Sequence, residues 1–157
     1  MTPAITLLKK AKVSFATHTY EVDPKAASYG QGAADALNIS ADIIFKTLVV
    51  SLNDDPKNLG VAVIPVAQQL NLKKAASALG AKKAQMADGQ IVQKTTGYVL
   101  GGVSPFGQKK RLPTVLDKSA LALETLYCSA GKRGLQISLN PQDLLTLLSA
   151  KPASICD

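Results

Sequence analysis

Phe45-Lys46-Thr47-Leu48-Val49-Val50-Ser51-Leu52, then Asn53-Asp54-Asp55-Pro56-Lys57-Asn58, then Gly60-Val61-Ala62-Val63-Ile64-Pro65-Val66 is the stretch whose reading decides the fold. Its two apolar runs are rich in β-branched residues and the polar cluster between them is turn chemistry, so the segment reads as a hairpin of two buried strands. Toward the N-terminus, Thr2 as N-cap with Pro3 in the first helical position opens a short helix through Ile5, Leu7 and Leu8. Phe15 to Glu21 then reads as a strand, and the small-residue stretch from Ala26 to Leu37 as a weak helix. Toward the C-terminus, Asn71 caps a helix that ends at Gly80, and Asp88 caps another that stops before Gly97. Strands are predicted at Tyr98 to Leu100, Leu112 to Leu116, Leu126 to Ser129 and Leu135 to Leu139. Asn140-Pro141 starts an amphipathic closing helix, and Lys151 to Asp157 reads as a loosely held tail.

Hairpins mixed with helices argue against a regular βαβ repeat and for an α+β domain, a curled, largely antiparallel mixed sheet with helices outside. At 157 residues with 46% hydrophobic content and no linker or repeat, residues 1–157 are expected to form one domain around one core. No apolar run approaches the roughly 18 residues that cross a bilayer, so a soluble, cytoplasmic protein is expected, with no membrane partner. Cys128 and Cys156 are the only cysteines and read as reduced thiols. One His and two scattered Cys argue against zinc, and no metal is expected. The formal charge of +7 favours a polyanion such as nucleic acid. With no Trp and only seven dispersed Tyr and Phe, a backbone or a terminus is a better target than stacked single-stranded bases.

Several catalytic patterns nearly match. Gly30-Gln31-Gly32-Ala33-Ala34 imitates a dinucleotide fingerprint, but Asp35 stands where its third Gly or Ala belongs. Ser129-Ala130-Gly131-Lys132 has the Ser-x-x-Lys spacing without its companion motifs, and Pro105 bars a helix after Ser104 in Gly102-Val103-Ser104. His18, the sole histidine, sits mid-strand and reads as a surface or hydrogen-bonded structural residue. What stands out is a pair of glycine-rich loops beside cations: Gly101 to Arg111, and Ser129 to Gly134. Such loops either aim N–H groups at a phosphate or carbonyl oxygen, or are tight turns with solvated Lys and Arg. Lys46 lies inside the apolar run Ile43 to Leu52, where a cation either snorkels outward or points into a functional cavity.

Phe45 to Val50, Gly80 to Ala87, Thr96 to Thr114 and Ser129 to Gly134 together resemble the YbaK family of bacterial Cys-tRNA(Pro) deacylases, relatives of the editing domain of prolyl-tRNA synthetase. The likeness runs in register from Thr2-Pro3-Ala4 to the final helix. It implies a barrel-like mixed sheet flanked by helices, and hydrolysis in trans of mischarged Cys-tRNA(Pro), with Cys-tRNA(Cys) as a further substrate, beside prolyl-tRNA synthetase in a transient ternary complex. It also implies no cofactor, no metal and no enzyme nucleophile, the substrate's own thiol attacking its ester. By matching positions the resemblance makes Lys46 and the Gly101 backbone catalytic and puts Tyr20, Tyr29, Thr47, Gly102, Ser129 and Gly131 around the substrate. Lys109, Lys110, Arg111, Lys132 and Arg133 become the tRNA-binding candidates. Gln136 stands where relatives often carry an acidic residue, and Tyr29 where they commonly show Phe. Two other readings of the same pocket are a tRNA-end binding module without turnover and a deacylase for another amino acid such as alanine.

Overall fold

The computed structural model describes residues 1–157. Helix α1 (Pro3–Ala11) begins as its cap predicts, the Ile5 N–H donating to Thr2 Oγ1 at 3.3 Å, and ends on Lys12 in the left-handed conformation. Strand β1 (Phe15–Thr19) follows, then α2 (Tyr29–Leu37), shorter than the sequence suggests because Ser28 is its N-cap, accepting from the Gln31 N–H at 3.1 Å. Strands β2 (Phe45–Leu52) and β3 (Asp55–Pro65) form the expected hairpin. Its turn is tighter than the polar cluster implies: only Asn53 and Asp54 connect the strands, both with φ near +55 (54° and 58°), the left-handed pair of a two-residue hairpin. Helix α3 (Leu72–Ala78), strand β4 (Ala84–Met86) and helix α4 (Gly89–Thr96) lead into a long loop and β5 (Thr114–Asp117). A 3₁₀ turn (Lys118–Ala122), strands β6 (Leu126–Lys132) and β7 (Leu135–Leu139), helix α5 (Pro141–Leu148) and strand β8 (Lys151–Ala153) complete the chain.

Two expectations are corrected. Tyr98 to Leu100 is not a strand. Gly97 and Gly101, with φ of 81° and 84°, bracket a turn in which the Gly102 N–H donates to the Val99 carbonyl, and Tyr98 is buried with its hydroxyl donating to the Phe106 carbonyl at 2.6 Å. Lys151 to Asp157 is not a loose tail. Strand β8 pairs with β5 in parallel, Ile155 is fully buried, and its N–H donates to the Asp117 carboxylate at 3.2 Å. Burial alone would raise the Asp117 pKa, but hydrogen bonds from Ser119, Ile155 and Cys156 outweigh it and hold the carboxyl below its usual range. The last residues are therefore anchored by a buried anion.

The architecture is α+β, with helices flanking mixed sheets as expected, and the sheets do not close into a barrel. The strands fall into two sheets, β1-β7-β6, which is antiparallel, and β4-β2-β3-β5-β8, in which β3-β5 and β5-β8 run parallel. Between them lies one core, with Phe45, Val49, Val61 and Val63 from the larger sheet facing Cys128 and Ile137 from the smaller, closed by Leu8 of α1 and Leu144 of α5. The sheets meet at a single parallel bridge, Ile44 with Tyr127, where the Tyr127 N–H donates to the Ile43 carbonyl at 2.9 Å. Beyond that bridge β2 and β6 are not paired, and β4 joins β2 only from Val50 onward.

Candidate active site

That gap between the sheets is where the site forms. In an antiparallel strand successive residues turn their main-chain groups to opposite sides. The Ile44 carbonyl accepts from Val66 on the β3 side, whereas the carbonyls of Ile43 and Val49 accept from Tyr127 and Ala87 on the other. By this alternation the main-chain N–H and C=O of Phe45 and Thr47 face away from β3, along the stretch where neither β6 nor β4 pairs with β2. A cavity of about 310 Å³ occupies this place, a volume at the lower end of small-ligand sites.

Its walls come from six helices and strands, Met86 of β4 among them, and from connecting loops. Residues Phe45 to Val49 of β2 form one side; Ser129 of β6 and Gln136 of β7, directly opposite each other in register, form another. The start of α2 contributes Ser28 to Gly30, α4 contributes Val92, and the loop after it contributes Leu100, Gly101 and Val103. Three apolar side chains at the cavity, Tyr29, Met86 and Leu100, are nonetheless exposed, so its mouth is apolar.

Lys46 is half-buried, lines this cavity, and makes no ion pair or hydrogen bond within the protein. Burial pushes its pKa below the ordinary lysine value, because the charged form loses hydration. Thr47 Oγ1 and Gln136 Oε1 also line the cavity, and both are buried oxygens with no hydrogen-bond partner. The Gly101 N–H donates to no protein acceptor, and neither does that of Gly30 in the first turn of α2. Gly101 is needed twice over: its φ is 84°, and a Cβ there would lie 2.6 Å from the Tyr29 ring. Arg133 secures the rim, its Nε donating to the Leu100 carbonyl at 2.9 Å while its guanidinium lies 4.5 Å from the Tyr29 ring centre.

The cavity thus brings together Lys46, Gly101, Tyr29, Thr47 and Ser129 of the residues singled out in the sequence. Tyr20 instead lines an adjoining cavity, which shares Ser28 and Tyr29 with the first and also touches Arg133. Gly102 and Gly131 do not line the cavity. A Cβ on Gly102 would strike the Lys132 backbone at 2.8 Å and one on Gly131 the Tyr98 ring at 2.7 Å, so these glycines let the two loops and Tyr98 approach one another. Lys109, Lys110 and Arg111 are exposed and lie outside the cavity, Arg111 donating to Ser149 Oγ at 3.1 Å. Lys132 is also exposed.

The other nucleophile patterns resolve into structure. Ser104 is fully buried, its Oγ accepting from the Phe106 N–H, and Ser129 Oγ accepts from the Gly131 N–H. His18 Nε2 lies 2.8 Å from Ser138 Oγ. Burial pushes the Cys128 and Cys156 thiols up to about 12, so neither is a thiolate at neutral pH. The residue that sequence reading undervalued is Gln136, whose place in the cavity depends on its pairing with β6. No helix is long and apolar enough to cross a membrane.

Residues 23–147 match the family described as the aminoacyl-tRNA editing domain. The chain is 39% identical over 154 residues, 98% of its own length and 92% of the relative's, to EbsC of Enterococcus faecalis, whose name assigns it to Cys-tRNA(Pro)/Cys-tRNA(Cys) deacylation. It is 35% identical over 102 residues, 65% of this chain, to 17% of a proline–tRNA ligase of Shouchella clausii. A solved structure described as a trans-editing enzyme for prolyl-tRNA synthetase superposes with a TM-score of 0.80 at 22% identity, covering 100% of this chain and 99% of that one, and so shares the fold. With the family match spanning most of the chain and a full-length relative at this identity, the protein belongs to the aminoacyl-tRNA editing domain family and is an enzyme of aminoacyl ester cleavage.

Proposed function

We propose that the protein clears cysteine mischarged onto tRNA(Pro), acting in trans in the cytoplasm beside prolyl-tRNA synthetase, with Cys-tRNA(Cys) as a secondary substrate. The observation that carries this reading is a cavity that holds an unpaired lysine and a free glycine N–H, with no Cys or His in its lining and none of its hydroxyls, Ser28, Thr47 and Ser129, hydrogen-bonded to a base. Such a site accelerates ester cleavage by fixing attack geometry and stabilising developing negative charge. The attacking group is then the thiol of the esterified cysteine. Its sulfur bonds to the ester carbonyl carbon, the carbon–oxygen bond to the ribose breaks, and the thiol proton passes to the departing ribose oxygen. A cyclic thiolactone and free tRNA are released. Lys46 and the Gly101 N–H stabilise the oxyanion, Tyr29 and Leu100 flank the terminal nucleoside, and Tyr20 lines the path beside it. Lys109, Lys110, Arg111, Lys132 and Arg133 hold tRNA phosphates, and alanine, which has no nucleophile, is spared.

The test is deacylation of Cys-tRNA(Pro) by Lys46→Ala. Because Lys46 makes no ion pair or hydrogen bond within the protein, the variant is expected to keep the native circular dichroism spectrum and lose at least a hundredfold in rate, roughly the effect of removing one oxyanion donor. A folded variant with normal turnover would refute the role of Lys46.

A further inference from the structure

The cavity lining contains two buried oxygens that nothing in the protein satisfies and that the reaction above does not use, Thr47 Oγ1 and Gln136 Oε1. Gln136 is 6% exposed, and its Oε1 is buried without a partner. Neither flanking residue in the sheet is bonded to it. Ser129, its register partner on β6, is engaged by the Gly131 N–H, and His18, its partner on β1, is engaged with Ser138. A buried amide oxygen left unpaired costs on the order of 1–3 kcal/mol, and such groups in native proteins are matched by a ligand or water. Because Gln136 lines the cavity, the missing partner is a donor carried by what enters it. An amide oxygen only accepts, whereas the other orphan, the Thr47 hydroxyl, can donate or accept.

Resting on the aminoacyl-tRNA reading, we propose that Gln136 is a specificity-determining residue that accepts a hydrogen bond from the free α-amino group of the esterified amino acid. The reacting ester offers few candidates. Its carbonyl oxygen is an acceptor, suited to Lys46 and Gly101, and its one obligatory donor next to the carbonyl carbon is the amine. A cavity of about 310 Å³ walled by Phe45, Val49, Val92 and Val103 accommodates an aminoacyl group, leaving the larger nucleoside at the apolar mouth. A neutral acceptor takes the amine in either protonation state, so recognition does not need a counter-charge beside Lys46. The same contact disfavours the correct product: the ring nitrogen of proline carries one hydrogen fewer and a substituent where the primary amine has none.

The probes are two unreactive amide-linked adenosines, one bearing cysteine and one bearing 3-mercaptopropionate, which has the same thiol and no amine. Binding is measured by calorimetry to the wild-type protein, Gln136→Leu and Gln136→Glu, each checked by thermal unfolding. The wild type is expected to bind the cysteinyl compound roughly tenfold to a hundredfold more tightly than the des-amino one. Gln136→Leu should bind both equally, and Gln136→Glu, which keeps an acceptor, should still discriminate. Equal binding of both compounds by the wild type, or undiminished discrimination by Gln136→Leu, would overturn the proposal. The deacylase reading is judged separately: an amine preference in a protein that does not cleave Cys-tRNA(Pro) overturns that reaction and leaves this contact standing, whereas cleavage without an amine preference does the reverse.

Discussion

At the scale of single residues, Lys46 carries the account, and its burial sets a sign that can be checked. A lysine whose folded pKa lies below its unfolded value binds fewer protons folded than unfolded between the two, so stability rises with pH through that window. Below both values, at neutral pH, the folded protein bears the whole desolvation penalty of the charged form. Lys46→Met should therefore unfold at the same or a higher temperature than the wild type at pH 7, and should show a smaller rise in stability as the pH is taken upward toward 10. A Tm that falls by several degrees at pH 7 would mean that Lys46 supports the fold. If Lys46 has the role proposed for it, the same burial predicts that activity declines on the alkaline side at a pH below the ordinary lysine range, as its ammonium is lost. Lys46 stood out in the sequence as a cation inside an apolar run, which left open whether it snorkels outward or enters a cavity, and the structure puts it in the cavity wall. Gln136 stood out only as a departure from the acidic residue of relatives, because a polar residue in the alternating segment Leu135 to Leu139 looks like an outward-facing strand position until β1 and β6 are known to flank it.

At the scale of elements, the loop between α4 and β5 decides the geometry, and here sequence and structure part company. Tyr98-Val99-Leu100 has the composition of a strand, but the glycines on either side take the left-handed conformation and Tyr98 turns inward. Burial raises the Tyr98 pKa to about 12, so its hydroxyl stays protonated and keeps donating to Phe106. That bond ties the first part of the loop to the buried Phe106 and so helps to fix the turn that places Gly101 in the cavity wall. Tyr98→Phe leaves the Phe106 carbonyl buried and unpaired, and should lower stability by about 1–3 kcal/mol in urea unfolding. It should also lower kcat for deacylation more than it raises KM, because the tRNA-facing surface is untouched. The hairpin β2-β3 and the caps at Thr2, Asn71 and Asp88 were legible because short-range chemistry determines them. Strand β8 was not, since three residues, Lys151–Ala153, become a strand only by docking in parallel on β5, more than thirty positions away.

At the scale of the whole molecule, the site exists because the barrel fails to close. One bridge at Ile44 and Tyr127 holds the sheets together, and the unpaired edge of β2 beyond it becomes a wall of the cavity. The family's sheet was foreseeable from motifs spread along the chain, whereas the split depends on where β4 and β6 stop pairing with β2, a non-local outcome that no local run of residues encodes. The proposal's central claim is that the substrate brings its own nucleophile, and it is supported by a cavity whose hydroxyls, Ser28, Thr47 and Ser129, are bonded to no base. The most direct measurement is single-turnover deacylation of Cys-tRNA(Pro) alongside the same tRNA carrying S-carboxamidomethyl-cysteine and alanine. The account predicts rapid loss of the free-thiol cysteine alone; loss of the blocked cysteine or of alanine at a comparable rate would mean that the enzyme activates water, and would contradict it.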